Sequence, residues 1–194
     1  MQTVLSSEFK RGMVLMLDGA PQEIEDFHVS GTAQTRHKLH SRLRNLKTGK
    51  VVDKVFAENE RLPLAELQRR RVQFSYQQGE SFMFSDAETY EELDLHAEHI
   101  GDRRWFLQEN EEYTALFLDG KFLDITLPPS TSLKVVETDP PVRIGNTSNW
   151  KPAKLETGLE LMVPLFVETG DQILVDTQLR KYQGKDTTEK GPKG

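Results

Sequence analysis

Short apolar segments, each ended by a turn signal, recur along most of this sequence. Asp-Gly dipeptides at residues 18–19 and 119–120 each separate two such segments, and Asp-Gly is strongly preferred in two-residue β-hairpin turns. Glycine-containing turns are also predicted at residues 47–50 and 77–79. Because the segments between these turns have the length of strands rather than of typical helices, the sequence predicts an all-β fold.

The predicted strands fall into three blocks of about five, which is typical of small β-barrels of the SH3-like or OB type. The predicted domains cover residues 1–64, 65–128 and 129–184. The second boundary follows from Pro128-Pro129, because consecutive prolines cannot donate hydrogen bonds to a sheet. Residues 185–194 have no side chain that would anchor them in a core, so we expect a disordered tail.

Two short helical pieces are expected within the second block. Asp86 is placed to cap a helix that would run through Tyr90 and Leu93, and a second piece is expected near residues 102–108. Trp105, in this second piece, is expected in a core. Trp150 lies in a polar segment, where it would either pack against a neighbouring barrel or stack on a base.

Charge is distributed unevenly along the chain. The net charge is -6, which argues against broad binding to nucleic acid, because phosphate contacts need Lys and Arg. Residues 28–54, however, contain seven Lys or Arg and one Asp. A basic arm on an acidic body is typical of a protein that presents one end to RNA. The alternative is a hairpin with an ordinary solvated basic face.

Several kinds of chemistry are unsupported by the residue pattern. The chain has no cysteine, which excludes disulfides and thiolate metal ligands. His37 and His40 would lie on opposite faces of a strand, and His96 and His99 lack further ligands, so no metal or cofactor is expected. There is no phosphate-binding or nucleophile motif, so we expect a non-enzyme. With no signal peptide and no apolar run long enough to span a membrane, a cytoplasmic protein is expected.

Several sequence segments resemble the bacterial elongation factor P family. The longest is residues 151–177, KPAKLETGLELMVPLFVETGDQILVDT, and shorter ones are residues 136–140 (VETDP), 43–49 (LRNLKTG) and 16–19 (MLDG). The resemblance implies an SH3-like, KOW-type first domain and two OB-fold domains in an L-shaped arrangement similar to a tRNA. It also implies binding of the 70S ribosome between the P and E sites, beside the P-site peptidyl-tRNA and rRNA. There, as a monomer, the factor would stimulate peptide-bond formation and relieve stalling at consecutive prolines.

The resemblance also implies a set of site residues. A loop at the tip of the first domain would reach toward the peptidyl-transferase centre, and Gln34 stands where the family usually has a lysine or arginine that is modified. An unmodified Gln34 is expected to act through its amide, with Arg36 as the alternative. The implied tip loop is Gly31, Thr32, Ala33, Gln34, Thr35 and Arg36. The implied tRNA and rRNA contacts are Lys38, Arg42, Arg44, Lys47, Arg180 and Tyr182. The implied loop near E-site mRNA is Gly145, Asn146 and Thr147.

The glutamine at position 34 leaves a second function open. A paralogue in the same family would bind the ribosome or a structured RNA in a regulatory role, without relieving stalls. Complementation of a strain that lacks the ordinary factor distinguishes the two, because a regulatory paralogue should fail even when it binds.

Overall fold

The computed structural model describes residues 2–32, 36–140 and 149–188. In this part of the chain the only α-helix is α1 (Ala97–Ile100), and short 3-10 helices cover Ser6–Glu8 and Gly101–Phe106. The strands are β1 (Thr3–Leu5), β2 (Val14–Leu17), β3 (Ala20–Ser30), β4 (Lys38–Asn45), β5 (Val51–Ala57), β6 (Arg61–Pro63), β7 (Gln68–Gln78), β8 (Ser81–Asp86), β9 (Glu92–His96), β10 (Glu112–Leu118), β11 (Lys121–Thr126), β12 (Ser130–Thr138), β13 (Trp150–Leu155), β14 (Glu160–Pro164), β15 (Gln172–Asp176) and β16 (Lys181–Lys185). The all-β prediction is confirmed. None of the helices in the described ranges has the length and apolarity that a membrane crossing requires.

The first sheet has the strand order β2-β3-β4-β5, with all neighbours antiparallel. Asp18 and Gly19 join β2 to β3 and both have positive φ, as a type I′ turn requires, so this predicted hairpin is confirmed. Strands β1 and β6 form a separate pair whose apolar side chains enter the same core. The buried residues of that core are Val4, Phe9, Leu15, Leu17, Ile24, Leu39, Leu43, Phe56 and Leu62.

The second sheet has the strand order β11-β10-β7-β8-β9. Its β10–β11 turn is the predicted Asp119-Gly120 pair, again with positive φ at both residues. Phenylalanine rings form much of the buried face, with centroid distances of 5.4 Å for Phe74 and Phe84 and 5.5 Å for Phe117 and Phe122. Such ring pairs stabilise a small core beyond the area that they bury.

The helix predicted after Asp86 is wrong. Oδ1 of Asp86 accepts hydrogen bonds from the backbone N–H groups of Glu88, at 2.9 Å, and Thr89, at 3.1 Å, as it would in a helix cap. Tyr90 then adopts a φ of 60°, and the chain returns as β9, which pairs with β8 along its whole length. An aspartate makes the same local hydrogen bonds at a turn and at a helix start, so pairing with a distant strand decides between them. The second expected helical piece is present as the 3-10 helix Gly101–Phe106.

The third sheet has the strand order β14-β13-β12-β15-β16. Its core contains Phe106 from the 3-10 helix, and Trp105 packs partly buried against the same core, which confirms the prediction for Trp105. Lys185, predicted to begin the disordered tail, is instead the last residue of β16, and its Nζ lies 2.7 Å from a carboxylate oxygen of Asp171. The rest of the predicted tail from residue 189 onward lies outside the described residues.

The chain divides into two compact units. The first consists of residues 1–101 and 114–126 and contains the first and second sheets. The second consists of residues 102–113 and 127–194 and contains the third sheet. Both tryptophans, Trp105 and Trp150, belong to the second unit. Tryptophan fluorescence therefore reports on this unit alone.

The buried hydroxyl of Tyr113, in the second unit, leads us to expect a loss of stability in alkali. Its hydroxyl donates to the carbonyl oxygen of Phe106, at 3.0 Å, and accepts from the backbone N–H of Gln108, at 2.9 Å. Burial raises the pKa of Tyr113 to about 12. Because the folded pKa lies above the unfolded value of about 10, the resulting stability is complete below about pH 10 and is lost as the pH rises through about 12. We expect the free energy of unfolding to fall by about 2 to 3 kcal/mol over that window.

The measurement is urea unfolding of the wild type and of Tyr113→Phe across that pH window. The variant should lose about 1 kcal/mol at neutral pH from its broken hydrogen bonds, but show a flatter decline in alkali. Tyr90→Phe is the control, because Tyr90 is 79% exposed. Equal slopes for wild type and Tyr113→Phe would contradict the prediction.

Candidate nucleic-acid interface

The predicted tip loop joins the ends of two paired strands. β3 ends at Ser30 and β4 begins at Lys38, and these two residues pair directly across the ladder. Gly31, Thr32 and Arg36 are exposed. Ala33, Gln34 and Thr35 lie outside the described residues. The loop therefore leaves the sheet at one end of the β3–β4 hairpin, and the cations of β4 lie at increasing distances from it.

Side chains alternate along β4 between the core and the outer face. Leu39, Ser41 and Leu43 are buried, whereas Lys38 and Arg42 are exposed. Two of the predicted RNA contacts thus lie on an accessible face, with Lys38 directly beside the loop. Since a strand rises by about 3.3 Å per residue, Arg42 lies about 13 Å further along the hairpin.

Arg44 lies on the same face of β4 as Lys38 and Arg42, but it is buried there, and its predicted contact with RNA is corrected. Its side chain is 7% exposed, and its guanidinium contacts the carboxylates of Glu23, Glu25 and Asp124. Burial by itself would lower the pKa of Arg44, but the three carboxylates outweigh that effect and raise the pKa above its ordinary value. A guanidinium enclosed in this way has no access to a phosphate.

Acids on β3 offset part of the positive charge of the hairpin. Nε of Arg42 lies 3.6 Å from a carboxylate oxygen of Glu25. Asp26, which pairs with Arg42 across the ladder, accepts hydrogen bonds from Arg11, and this holds the pKa of the Asp26 carboxyl below its ordinary value. Lys47 lies beyond the opposite end of β4 from the loop, where its Nζ donates to the carbonyl oxygen of Gly19 at 3.1 Å. The acids of β3 therefore offset the positive charge of the hairpin at Arg42 and Arg44.

Two histidines at the loop end were not singled out as site residues from the sequence. The rings of His28 and His40 are stacked, with centroids 4.9 Å apart and planes at 4°. Nε2 of His40 is hydrogen-bonded to Oγ of Ser30 at 2.8 Å. The signal that identifies them is their direct pairing across β3 and β4, which becomes visible only when the register is known.

The third sheet contains the remaining predicted contacts. Arg180 has a φ of 52° in the β15–β16 turn, and its Nη1 lies 2.8 Å from a carboxylate oxygen of Asp102. Tyr182 contacts Trp150 edge-on with ring centroids 6.4 Å apart, and burial raises the pKa of Tyr182. Trp150 remains 46% exposed, and Tyr182, whose ring it contacts, lies in the same sheet. Gly145, Asn146 and Thr147 lie outside the described residues.

Comparison with known proteins identifies the family. Three family profiles match in order: the elongation factor P KOW-like domain at residues 5–62, the elongation factor P OB domain at residues 67–125, and the elongation factor P C-terminal domain at residues 132–185. The chain belongs to the elongation factor P family. An elongation factor P from Synechococcus sp. (strain JA-3-3Ab) is 41% identical over 189 residues, which is 94% of this chain and 100% of that relative.

Further relatives of the elongation factor P family extend this comparison. Elongation factor P from Nitratidesulfovibrio vulgaris (strain DP4) is 38% identical over 182 residues, covering 93% of this chain and 98% of that protein. Among solved structures, eukaryotic translation initiation factor 5A from Methanococcus jannaschii aligns with a TM-score of 0.45 and 24% identity, over 64% of this chain and 92% of that one. The KOW-like and OB domains of the elongation factor P family confirm the predicted fold class.

Proposed function

We propose that this protein binds the ribosome between the P and E sites and stimulates peptide-bond formation at consecutive prolines. It acts as a cytoplasmic monomer, without a cofactor, and contacts the P-site peptidyl-tRNA and ribosomal RNA. The ribosome supplies the chemistry, and the factor lowers the barrier by orienting a poor substrate. Residues 1–64, 65–128 and 129–184 serve as its three domains.

The observation that carries this proposal is the order of three elongation factor P domains along residues 5–185. The exposed Lys38 and Arg42 support it, because they give the accessible face of β4 the cations that RNA backbone binding requires. Arg180 and Tyr182 are proposed as further RNA contacts through the third domain. The predicted E-site loop, with Gly145, Asn146 and Thr147, keeps its proposed place beside mRNA.

Gln34 acts at the tip without modification in this proposal. A glutamine amide offers two donors and an acceptor to RNA, and it has no amine or guanidinium to be extended. Intact-mass measurement of the protein from its native cell, followed by peptide mapping of residues 29–38, should return the unmodified mass. A mass increase on Arg36 or Lys38 would move the tip function to that residue.

Ribosome profiling tests the function directly. Deletion of the gene should raise ribosome occupancy at consecutive prolines, and the wild-type gene should reverse this. Gln34→Ala should still bind ribosomes but reverse the pauses poorly. Unchanged occupancy at prolines in the deletion strain would remove the proposal, and ribosome binding without relief would favour the regulatory paralogue, for which the departure at Gln34 is the motivating observation.

Salt dependence tests the assignment of Lys38 and Arg42. Changing both to glutamine should weaken ribosome binding and reduce the slope of log affinity against log salt concentration by about 0.7 to 0.9 for each phosphate that is no longer neutralised. The matched control is Lys121→Gln with Lys154→Gln, since these exposed lysines lie outside the first sheet and remove the same charge. Equal slope changes for the two pairs would mean that net charge, rather than the hairpin, governs binding.

A further inference from the structure

We propose that Arg44 is a positioning residue, whose buried guanidinium ties the first sheet to the second and thereby sets the direction in which the β3–β4 hairpin points. This inference rests on the proposed function for its consequence at the ribosome, but its structural claim can be tested without it. Both sheets belong to the same compact unit.

The guanidinium contacts carboxylates from both sheets. On the first sheet, Nη2 is hydrogen-bonded to Glu23 and Nε lies 3.3 Å from Glu25. From the second sheet, Oδ2 of Asp124 lies 3.4 Å from Nη1. A planar guanidinium presents donors in several directions, so it can hold groups on both sides at once, whereas a lysine ammonium is a point charge. Arg44 is thus the cation that Glu23 and Asp124 share.

The surroundings make this cluster part of a closely packed contact. Asp124 is completely buried, and Nε2 of His99 lies 3.4 Å from the same Oδ2 atom. The turn that follows β4 approaches the backbone of His99 so closely that a Cβ on Gly49 would lie 2.5 Å from its carbonyl oxygen. Next to them, an apolar cluster buries Val14, Leu46 and Leu116, which come from both sheets or their flanking turns.

The loss of Arg44 should change the contact between the two sheets, because it removes the positive charge that balances the buried carboxylates. Without the guanidinium, the buried carboxylate of Asp124 would face Glu23 without the cation that now lies between them. Removing one partner of a buried pair leaves an uncompensated charge, and the charge recovers solvent when the surrounding groups move apart. The expected response is therefore an opening of the contact between the two sheets.

A small opening at Arg44 is amplified at the tip. Arg44 follows Lys38 by six positions on β4, which is about 20 Å along a strand. A rotation of about 10° at Arg44 would then move the loop end by about 3 to 4 Å. Displacements of about 1 Å can reduce positioning catalysis by two orders of magnitude. Exposed cations on the hairpin tolerate such a shift better, because phosphate contacts are less directional.

Distance measurement between two spin labels tests the structural claim. The chain has no cysteine, so Asp53→Cys on β5 and Glu92→Cys on β9 provide one exposed attachment point on each sheet. Arg44→Gln should broaden the distance distribution about twofold or more, and Arg44→Lys should give an intermediate width. Arg42→Gln is the matched control for distance, since it makes the same change at an exposed position of the same strand and should leave the distribution unchanged.

A reconstituted translation assay on a template with consecutive prolines tests the consequence. Arg44→Gln should bind ribosomes within about threefold of wild type but lose about tenfold or more of the stall relief. Arg42→Gln should weaken ribosome binding, whereas the stall relief that it gives at saturating concentration should change less. If Arg44 contributed only to stability, Arg44→Gln would lower the melting temperature, and ribosome binding and stall relief would fall by similar factors.

The outcomes are separable. An unchanged distance distribution in folded Arg44→Gln overturns the inference. If that variant does not fold, the same result from Arg44→Lys, or from Asp124→Asn, overturns it equally. Should the wild-type protein relieve no stalls, the proposed function fails, while the distance measurement still decides the role of Arg44 in fixing the two sheets.

Discussion

Replacing Gly49 with alanine should lower the free energy of unfolding of the first unit by about 2 to 5 kcal/mol. Gly49 has a φ of +74°, which costs an L-residue about 1 to 2 kcal/mol. In addition, the new Cβ would lie 2.5 Å from the carbonyl oxygen of His99 and 2.9 Å from its Cα. Backbone atoms cannot rotate out of the way as a side chain can, so the turn and His99 must separate, at a cost of about 1 to 3 kcal/mol.

Gly19→Ala is the control that separates these two costs. Gly19 also has a φ of +74°, lies in a hairpin turn of the same sheet, and has nothing within 4 Å of the position of a Cβ. Circular dichroism follows denaturant unfolding of the whole chain, whereas tryptophan fluorescence follows the second unit alone, so a transition seen by circular dichroism but not by fluorescence belongs to the first unit. Equal losses for the two variants would mean that the turn does not contact His99 in solution. Gly49→Ala should also broaden the distance distribution between the spin labels on β5 and β9, whereas Gly19→Ala should not.

Features set by neighbouring residues were predictable from the sequence. The two Asp-Gly turns need only two residues with positive φ, and the structure has them at both places. The turn at residues 47–50 is equally local: Oδ1 of Asn45 accepts from the N–H groups of Lys47 and Thr48, and the N–H of Gly49 donates to the carbonyl oxygen of Asn45. Such interactions involve residues within a few positions of one another, so a short stretch of sequence is enough to predict them.

Features set by strand pairing were not predictable in the same way. The basic stretch at residues 28–54 was interpreted without the acids of β3, which precede it and face it across the ladder. The register that brings Glu23 beside Arg44 depends on a bulge between Ile24 and Asp26. Asp124 comes from a strand much later in the chain. No local pattern distinguishes the buried Arg44 from the exposed Arg42 two residues earlier, so assigning both to RNA was the natural error.

The candidate site was predictable to a similar degree. The family, its domain types and the cations on β4 followed from sequence motifs, and the described residues put Lys38 and Arg42 on an accessible face. The stacked His28 and His40 pair needed the register, since each histidine alone resembles any polar strand residue. The role of Gln34 stays a prediction that rests on the family resemblance.

Phe106→Ala is expected to lower the stability of the second unit by about 3 to 5 kcal/mol. Phe106 is 1% exposed and is the only phenylalanine among the buried residues of that described core, where it packs with Leu133, Val135 and Ile173. The aliphatic neighbours are held by paired strands and cannot collapse into the space, so a cavity remains and its cost adds to the lost burial. The 3-10 helix that carries Phe106 precedes β10 in sequence, far from β12, so the two segments hold together through side-chain packing.

The matched control is Phe166→Ala, because Phe166 belongs to the same unit but is 58% exposed, and its loss should cost less than about 1 kcal/mol. Both tryptophans lie in this unit, so the fluorescence transition measures its unfolding selectively. For Phe106→Ala that transition should move to lower denaturant, whereas the signal from the first unit should change less. Coincident shifts of both signals would mean that the two units unfold together, and a shift no larger than that of Phe166→Ala would contradict the core position of Phe106.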